Sequence, residues 1–451
     1  MIALADLLLA VRWILLLLAG ASFGGVVNWA AYGLAWRPRP VSPWSPAPQG
    51  AAPRTWPDRL PIVGWIRLRR ESVLFGPRHW VRPLVVELSA GIGLALLYWW
   101  EIDRLALVRS QLAPFFGAML LDRLVVPQWV VHQELFSHVV LLALLAAASL
   151  IDIDERLTPD AVTVPGTLLG LLMATLFPFS LLPWVEVAGA PPPMSQEITL
   201  DGMEQALRAA GTHLGLGWTS AARPQPWPPL FAGFPEWRSL AVGLACYVLW
   251  CFAMLPRTWY GRHGWRRAWN VFSARLARSI ASWQMIVLGL LGVVLIVTTW
   301  WKGGIHWAGL LTALLGLVGS GGIVWAVRLV GKAALKKEAL GFGDVMLMMM
   351  VGTFIGWQAG WVVFFLAPFA ALAVGLVQWL LRRDREVCYA PFLSIAAVVV
   401  IVRWGDFTQP LIARIFELGN LLLFLLVACL GLMGVMLVAW RWFATMVMGR
   451  Q

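Results

Sequence analysis

Apolar runs long enough to cross a bilayer recur from one end of this chain to the other, and that recurrence decides its class before any motif is read. A helix rises about 1.5 Å per residue, so roughly 20 apolar residues cover a hydrocarbon core about 30 Å thick. Spans are expected at 5–34, 84–100, 136–152, 160–182, 239–256, 284–300, 305–328, 344–359, 361–381, 389–403 and 417–443. The short run 105–120 reads as a half-buried segment that could change the parity. With 60% hydrophobic and 13% charged residues, the chain is an all-α polytopic membrane protein of about 9–11 transmembrane helices. Its first run is far longer than the apolar region of a signal peptide and reads as a retained helix.

Charge sets the orientation. The net +12 could suggest nucleic acid, but its distribution assigns it to loops. Residues 35–83 hold nine arginines against Asp58 and Glu71, and 257–278 hold six with no acid. Both are expected on the cytoplasmic side. An outside N-terminus then also puts 328–343 and 382–388 inside, and the Pro- and Gly-containing segment 183–237 outside. The four cysteines lack paired C-x-x-C spacing and nearby histidines, so neither a disulfide framework nor a zinc site is expected. His132, His138 and Glu134 read as polar decoration of a helix start rather than a metal site, and the Met346–Met350 run as helix packing.

On this count two acidic stretches share the inner face although they lie about 190 residues apart. One is "SLIDIDERLTPDAVTVPG", where the apolar run ends at Asp152, followed by Asp154 and Glu155. Pro159 then limits continuation of the helix and Asp160 is placed to cap the next. The other is "GFGDVML", where Gly341 and Gly343 permit a tight turn or close backbone approach and Asp344 falls in the first turn of the following helix. Carboxylates beside hydrocarbon are expensive and usually functional. Two at equal depth can share a proton, one activating a water as base while the other acts as acid toward a carbonyl. Taken alone, each stretch is also satisfied by interface acids and helix-terminal charge. A pair of membrane acids also suits an ion-coupled transporter or an assembly scaffold.

The paired stretches resemble the prepilin leader peptidases, or type IV prepilin peptidases, of the wider GxGD group of membrane aspartyl proteases. The first stretch matches at Asp152, Pro159, Asp160, Thr163, Pro165 and Gly166, with Thr158 in the place of an aliphatic residue. The second matches at Gly341, Gly343 and Asp344, with Met346 in the place of a lysine. Gly20, Ser22, Phe23, Asn28 and Tyr32, the stretch "RLPIVGWIRLR", then Arg82, Pro83 and Glu87, and "CYAPFLSIAAV" are similar to further family elements. The cysteine pairs that many members carry in the first loop are absent from residues 35–83.

The resemblance implies an aspartic endopeptidase of the bacterial inner membrane, with its active site facing the cytoplasm. It implies Asp152 and Asp344 as the catalytic dyad, supported by Gly341, Gly343, Pro159 and Asp160, and no cofactor for proteolysis. It further implies cleavage of the basic leader of type IV prepilins or type II secretion pseudopilins after glycine, with pilus or secretion assembly machinery and the lipid membrane as partners and no nucleic acid. Many relatives also methylate the new N-terminus with S-adenosylmethionine, which the cysteine-free loop leaves open here. Another GxGD peptidase acting on signal-like peptides is the neighbouring alternative. The expected organisation is a first helix with its loop (1–83), a peptidase core with outer insertions (84–403) and an extra C-terminal helix with a short tail (404–451). Glu87, beside a helix start, is expected to orient Arg82.

Overall fold

The computed structural model describes residues 2–113, 126–188, 213–218, 237–255, 265–338, 340–382, 388–408, 415 and 418–447. Its helices, in chain order, are α1 (Ile2–Gly33), α2 (Val63–Leu68), α3 (Val81–Tyr98), α4 (Ala106–Leu112), α5 (Gln128–Glu155), α6 (Asp160–Leu176) and α7 (Trp237–Met254). They continue with α8 (Trp265–Arg278), α9 (Ile280–Lys302), α10 (Gly304–Leu335), α11 (Phe342–Arg382), α12 (Ala390–Val402) and α13 (Asn420–Val447). Among the described residues, eight helices are long and apolar enough to cross a membrane, and α6 and α12 are shorter apolar helices. With 13 residues, α12 is shorter than the full span expected at 389–403.

Two expected spans, 344–359 and 361–381, lie end to end in α11. Gly356, with φ +78° and ψ 170°, interrupts the helical backbone between them. A residue with a side chain rarely adopts that φ, which is why glycine stands at the break. The half before it is the most enclosed stretch of the molecule, with Val345, Met346, Leu347, Met348, Met350 and Val351 all fully buried.

Helix association within lipid depends on close packing and small residues, because lipid tails are as apolar as the side chains they would replace. The seams around α11 follow that rule. A Cβ on Gly316 of α10 would strike the Gly352 carbonyl, and one on Gly352 would strike that of Gly316, so the two backbones touch. On the other flank, Gly166 and Gly170 of α6 receive Met350 and Thr353. The methionine run is therefore helix packing, as its sequence suggested.

The first loop folds as a small lobe without cysteine. Arg54 makes a bidentate pair with Glu71, at 3.0 and 2.7 Å, with both side chains almost completely enclosed. Asp58 takes Arg67 at 2.9 Å and Arg70 at 2.8 Å, and Trp65 and Leu68 close the lobe's own core. Glu87 of α3 anchors this lobe to the helices through the Ile62 N–H (2.5 Å) and Trp65 Nε1 (2.7 Å). Glu87 does not orient Arg82. That arginine turns to Asp154 (2.6 Å) and the Leu150 carbonyl (3.1 Å), because the end of α5 lies closer to it than the lobe side of α3.

The outer segment adds a feature the apolar count misses. Pro183–Ala188 (β1) pairs antiparallel with His213–Trp218 (β2), Pro183 opposite Trp218. The remainder of the long segment expected outside at 183–237 lies outside the described residues, as do parts of the 105–120 run and of the 382–388 loop. Within the arginine-rich 257–278 run, α8 is a basic amphipathic helix with Trp265 and Trp269 exposed, a pattern suited to lying in a membrane interface.

Candidate active site

The two acidic stretches meet. Helix α5 carries Asp152 in its last turn and stops at Arg156, which adopts a left-handed φ of +56° and returns its N–H to the Asp152 carbonyl at 2.7 Å. The chain then passes Thr158 to Pro159, the residue that precedes α6. A residue before proline avoids helical geometry, so the break between α5 and α6 is written into Thr158-Pro159. Asp160 opens α6 in its first turn, favourable toward the helix dipole, and makes no capping hydrogen bond. Capping is thus not its role, contrary to the sequence expectation. The residue that would have to cap is Pro159, which has no side-chain acceptor.

The second stretch is held from α10. Lys336 ends that helix in a left-handed conformation (φ +59°), and Arg328 donates to the Leu340 carbonyl at 3.0 Å and to Glu338 at 3.3 Å, with Lys332 also on Glu338 at 2.9 Å. These contacts fix the connection into Gly341. The Asp344 side chain folds back to accept the Gly341 N–H at 3.2 Å. Gly343 lies directly against Thr158, where an added Cβ would stand 2.7 Å from the Thr158 Cβ and 2.9 Å from its hydroxyl. This contact joins the two motifs. Asp152 and Asp344 are 6% and 9% exposed, so both are enclosed but reachable, and each lies within range of the other's charge.

A third segment completes the surroundings. The start of α12 presents the Ala390 N–H to Asp152 Oδ2 at 3.2 Å, and the Cys388 thiol donates to the Asp152 carbonyl at 3.3 Å. Burial, and then the charge of Asp152, push the Cys388 thiol up, with Arg156 opposing and Asp344 adding to the rise. Tyr389 is pushed up to about 12, by burial first and by Asp344 second. Both residues therefore report an anionic centre between α5 and α11. The stretch "CYAPFLSIAAV" flagged this segment by resemblance, but only the fold shows that its backbone N–H serves Asp152.

The other acids serve the frame. Asp154 binds Arg82 at 2.6 Å and approaches Arg39 at 3.8 Å. Glu155 accepts the Trp36 and Arg37 N–H groups at 2.8 and 2.9 Å, tying the end of α5 to the start of the lobe. His138 bonds Glu101 at 2.8 Å, while His132 faces the Gln128 carbonyl. Among the described residues, no group of three His, Cys, Asp or Glu side chains is arranged to hold a metal ion.

The type IV leader peptidase family matches residues 277–376, which include Gly341, Gly343 and Asp344 and leave Asp152 outside. The chain carries a type IV leader peptidase region. That region is similar to proteins called prepilin leader peptidase/N-methyltransferase. The protein of Aeromonas hydrophila is 31% identical over 114 residues, 22% of this chain and 39% of that protein. The Pseudomonas aeruginosa protein is 29% identical over 145 residues, 29% and 50%, and that of Stutzerimonas stutzeri 31% over 124 residues, 27% and 41%. The chain thus spans at most half the length of these relatives. No solved structure matches. Within the type IV leader peptidase region, the Gly341–Asp344 turn is the part that faces Asp152.

Proposed function

We propose that this protein is an aspartic endopeptidase that cleaves the basic leader of type IV prepilins or pseudopilins after a glycine, at the cytoplasmic face of a bacterial inner membrane. The observation that carries this reading is the meeting of Asp152 and Asp344 at helix ends, across the Gly343–Thr158 contact. Two enclosed carboxylates within reach of each other can hold one proton between them. The ionised partner takes a proton from a water, whose oxygen attacks the scissile carbonyl while the protonated partner gives its proton to the carbonyl oxygen. The tetrahedral intermediate then collapses to a carboxylate and a free amine, with the proton returned to the leaving nitrogen. No metal or organic cofactor takes part. Pilus or secretion assembly machinery would receive the product.

The relatives' printed names include N-methyltransferase, an activity for which the resemblance implies S-adenosylmethionine. In the lobe, Asp58 and Glu71 already hold Arg54, Arg67 and Arg70, so this donor set does not suit a cationic cofactor, and no methyl-transfer step is derived.

The test is incubation of the purified protein with a prepilin from the same host, read by mass spectrometry. Cleavage after glycine is expected, and Asp152→Ala and Asp344→Ala should each abolish it while still inserting in the membrane. Normal cleavage by either variant overturns the assignment. The same spectrum reads the new N-terminus, expected without the added ~14 Da of a methyl group.

A further inference from the structure

A groove of about 800 Å3 runs along the membrane-spanning part of the molecule between α1, α3, α5 and α12. Its floor is made of small residues, among them Gly93, Ala143 and Ala146, and a Cβ on Gly93 would meet nothing within 4 Å. Its rim carries Leu96, Ile395 and Val398, all substantially exposed, so the groove opens sideways where lipid would lie. The hydroxyls in its wall are already satisfied: Ser149 and Ser394 bond each other at 2.7 Å, and Ser89 donates to the Val86 carbonyl at 3.0 Å. An occupant therefore finds apolar contact and few hydrogen-bond partners, which excludes a charged leader and favours a hydrocarbon-like segment.

Position narrows the occupant further. Ser149 lies three residues before Asp152 on α5, and Pro391 in the groove wall follows Ala390, whose N–H bonds Asp152. One end of the groove thus opens at the carboxylates. From Val139 to Ser149 it follows α5 for roughly 15 Å, about three helical turns. A free acyl chain could fill such a space, but nothing in that account requires the groove to end at the dyad.

We propose that this groove docks the apolar segment of the substrate that directly follows the scissile bond, an inference that rests on the peptidase reading above. Apolar burial along the groove holds the stem, and its continuity with Asp152 sets which peptide bond reaches the carboxylates.

The experiment uses the full chain in phospholipid nanodiscs and two synthetic substrates with the same lysine-bearing leader ending in glycine. One continues into an apolar helix of about 20 residues and the other into a short polar tail. Gly93→Trp fills the floor, and Ala146→Leu is a milder second variant should the first fold poorly. Each is expected to lower the ratio of kcat/KM for the long substrate to that for the short one, by about tenfold for Gly93→Trp, with the change carried by KM. A photo-cross-linking residue at position 146 should capture the long substrate. An unchanged ratio in both variants, or cross-links to phospholipid alone, overturns the docking inference while leaving the peptidase reading intact. A wild-type protein that cleaves neither substrate overturns both.

Discussion

A side chain at position 343 would press on Thr158, and its carbonyl oxygen stands only 3.3 Å from the same Cβ position. The hydroxyl end can rotate, but the Thr158 backbone cannot move without shifting Pro159 and the start of α6. Gly343→Ala should therefore push the two motifs apart by a few tenths of an ångström, and Gly343→Val by more. A misplacement of about 1 Å can cost catalysis on the order of a hundredfold, so the valine variant should lose at least tenfold in kcat with its fold retained. Adding Thr158→Gly removes the struck Cβ and should restore part of the rate, a coupling that a double-mutant cycle on cleavage measures. Additive losses would show that the contact does not position the dyad. At this scale the sequence made Asp152 and Asp344 legible as a pair, because loop charge and span parity alone brought them to one face. The Ala390 N–H, the Cys388 thiol and the Arg328 clamp on Leu340 were not legible. Each is a contact between segments far apart in the chain, and neither local propensity nor hydropathy carries that information.

Among the elements, the first-loop lobe shows how ion pairs can organise a short segment without metal or disulfide. A buried pair is weak evidence of added stability, yet breaking one strands a charge, at a cost of roughly 3–5 kcal/mol. Glu71→Gln, which leaves Arg54 without its carboxylate, should unfold the lobe with little change in the helices, read as loss of Trp65 burial by fluorescence quenching. Asp58 adds a pH dependence. Burial pushes its carboxyl up, but hydrogen bonds from the Thr55 N–H, Arg67, the Thr55 hydroxyl and Arg70 outweigh that and hold it well below the usual carboxylate value of 3.8. A depressed native value means that the folded lobe binds the proton less readily than the unfolded chain. Its contribution is therefore complete above that ordinary value and is lost as pH falls below it. The lobe's quenching transition in acid should accordingly begin below about pH 4 in the wild type, and Asp58→Asn should flatten this component while destabilising the lobe at neutral pH. Loop composition foretold a folded lobe rich in Trp, Pro and Arg. Which acid would pair with which arginine depends on turns at Thr55 and Ile62 that composition does not specify.

Across the whole molecule, membrane class was readable from run length, and the helix count nearly so, including the break in α11 that glycine marks at Gly356. The groove was invisible, since it is made by small residues on four helices whose adjacency no single run encodes. The site itself has a divided origin. Helices α5 and α6 bring Asp152 and Thr158, whereas α10, α11 and α12 bring Gly343, Asp344 and Ala390, and the two groups meet through glycine seams within the membrane. Strand β1 precedes the division and β2 follows it, so the outer sheet spans the same boundary. The chain is then, in assembly terms, two partners that happen to be covalently joined. Residues 1–200 and 201–451, made as separate polypeptides in one cell, should find each other in the bilayer and recover measurable cleavage that neither has alone. Failure of the coexpressed pair, with both pieces inserted, would mean that the link itself guides their meeting.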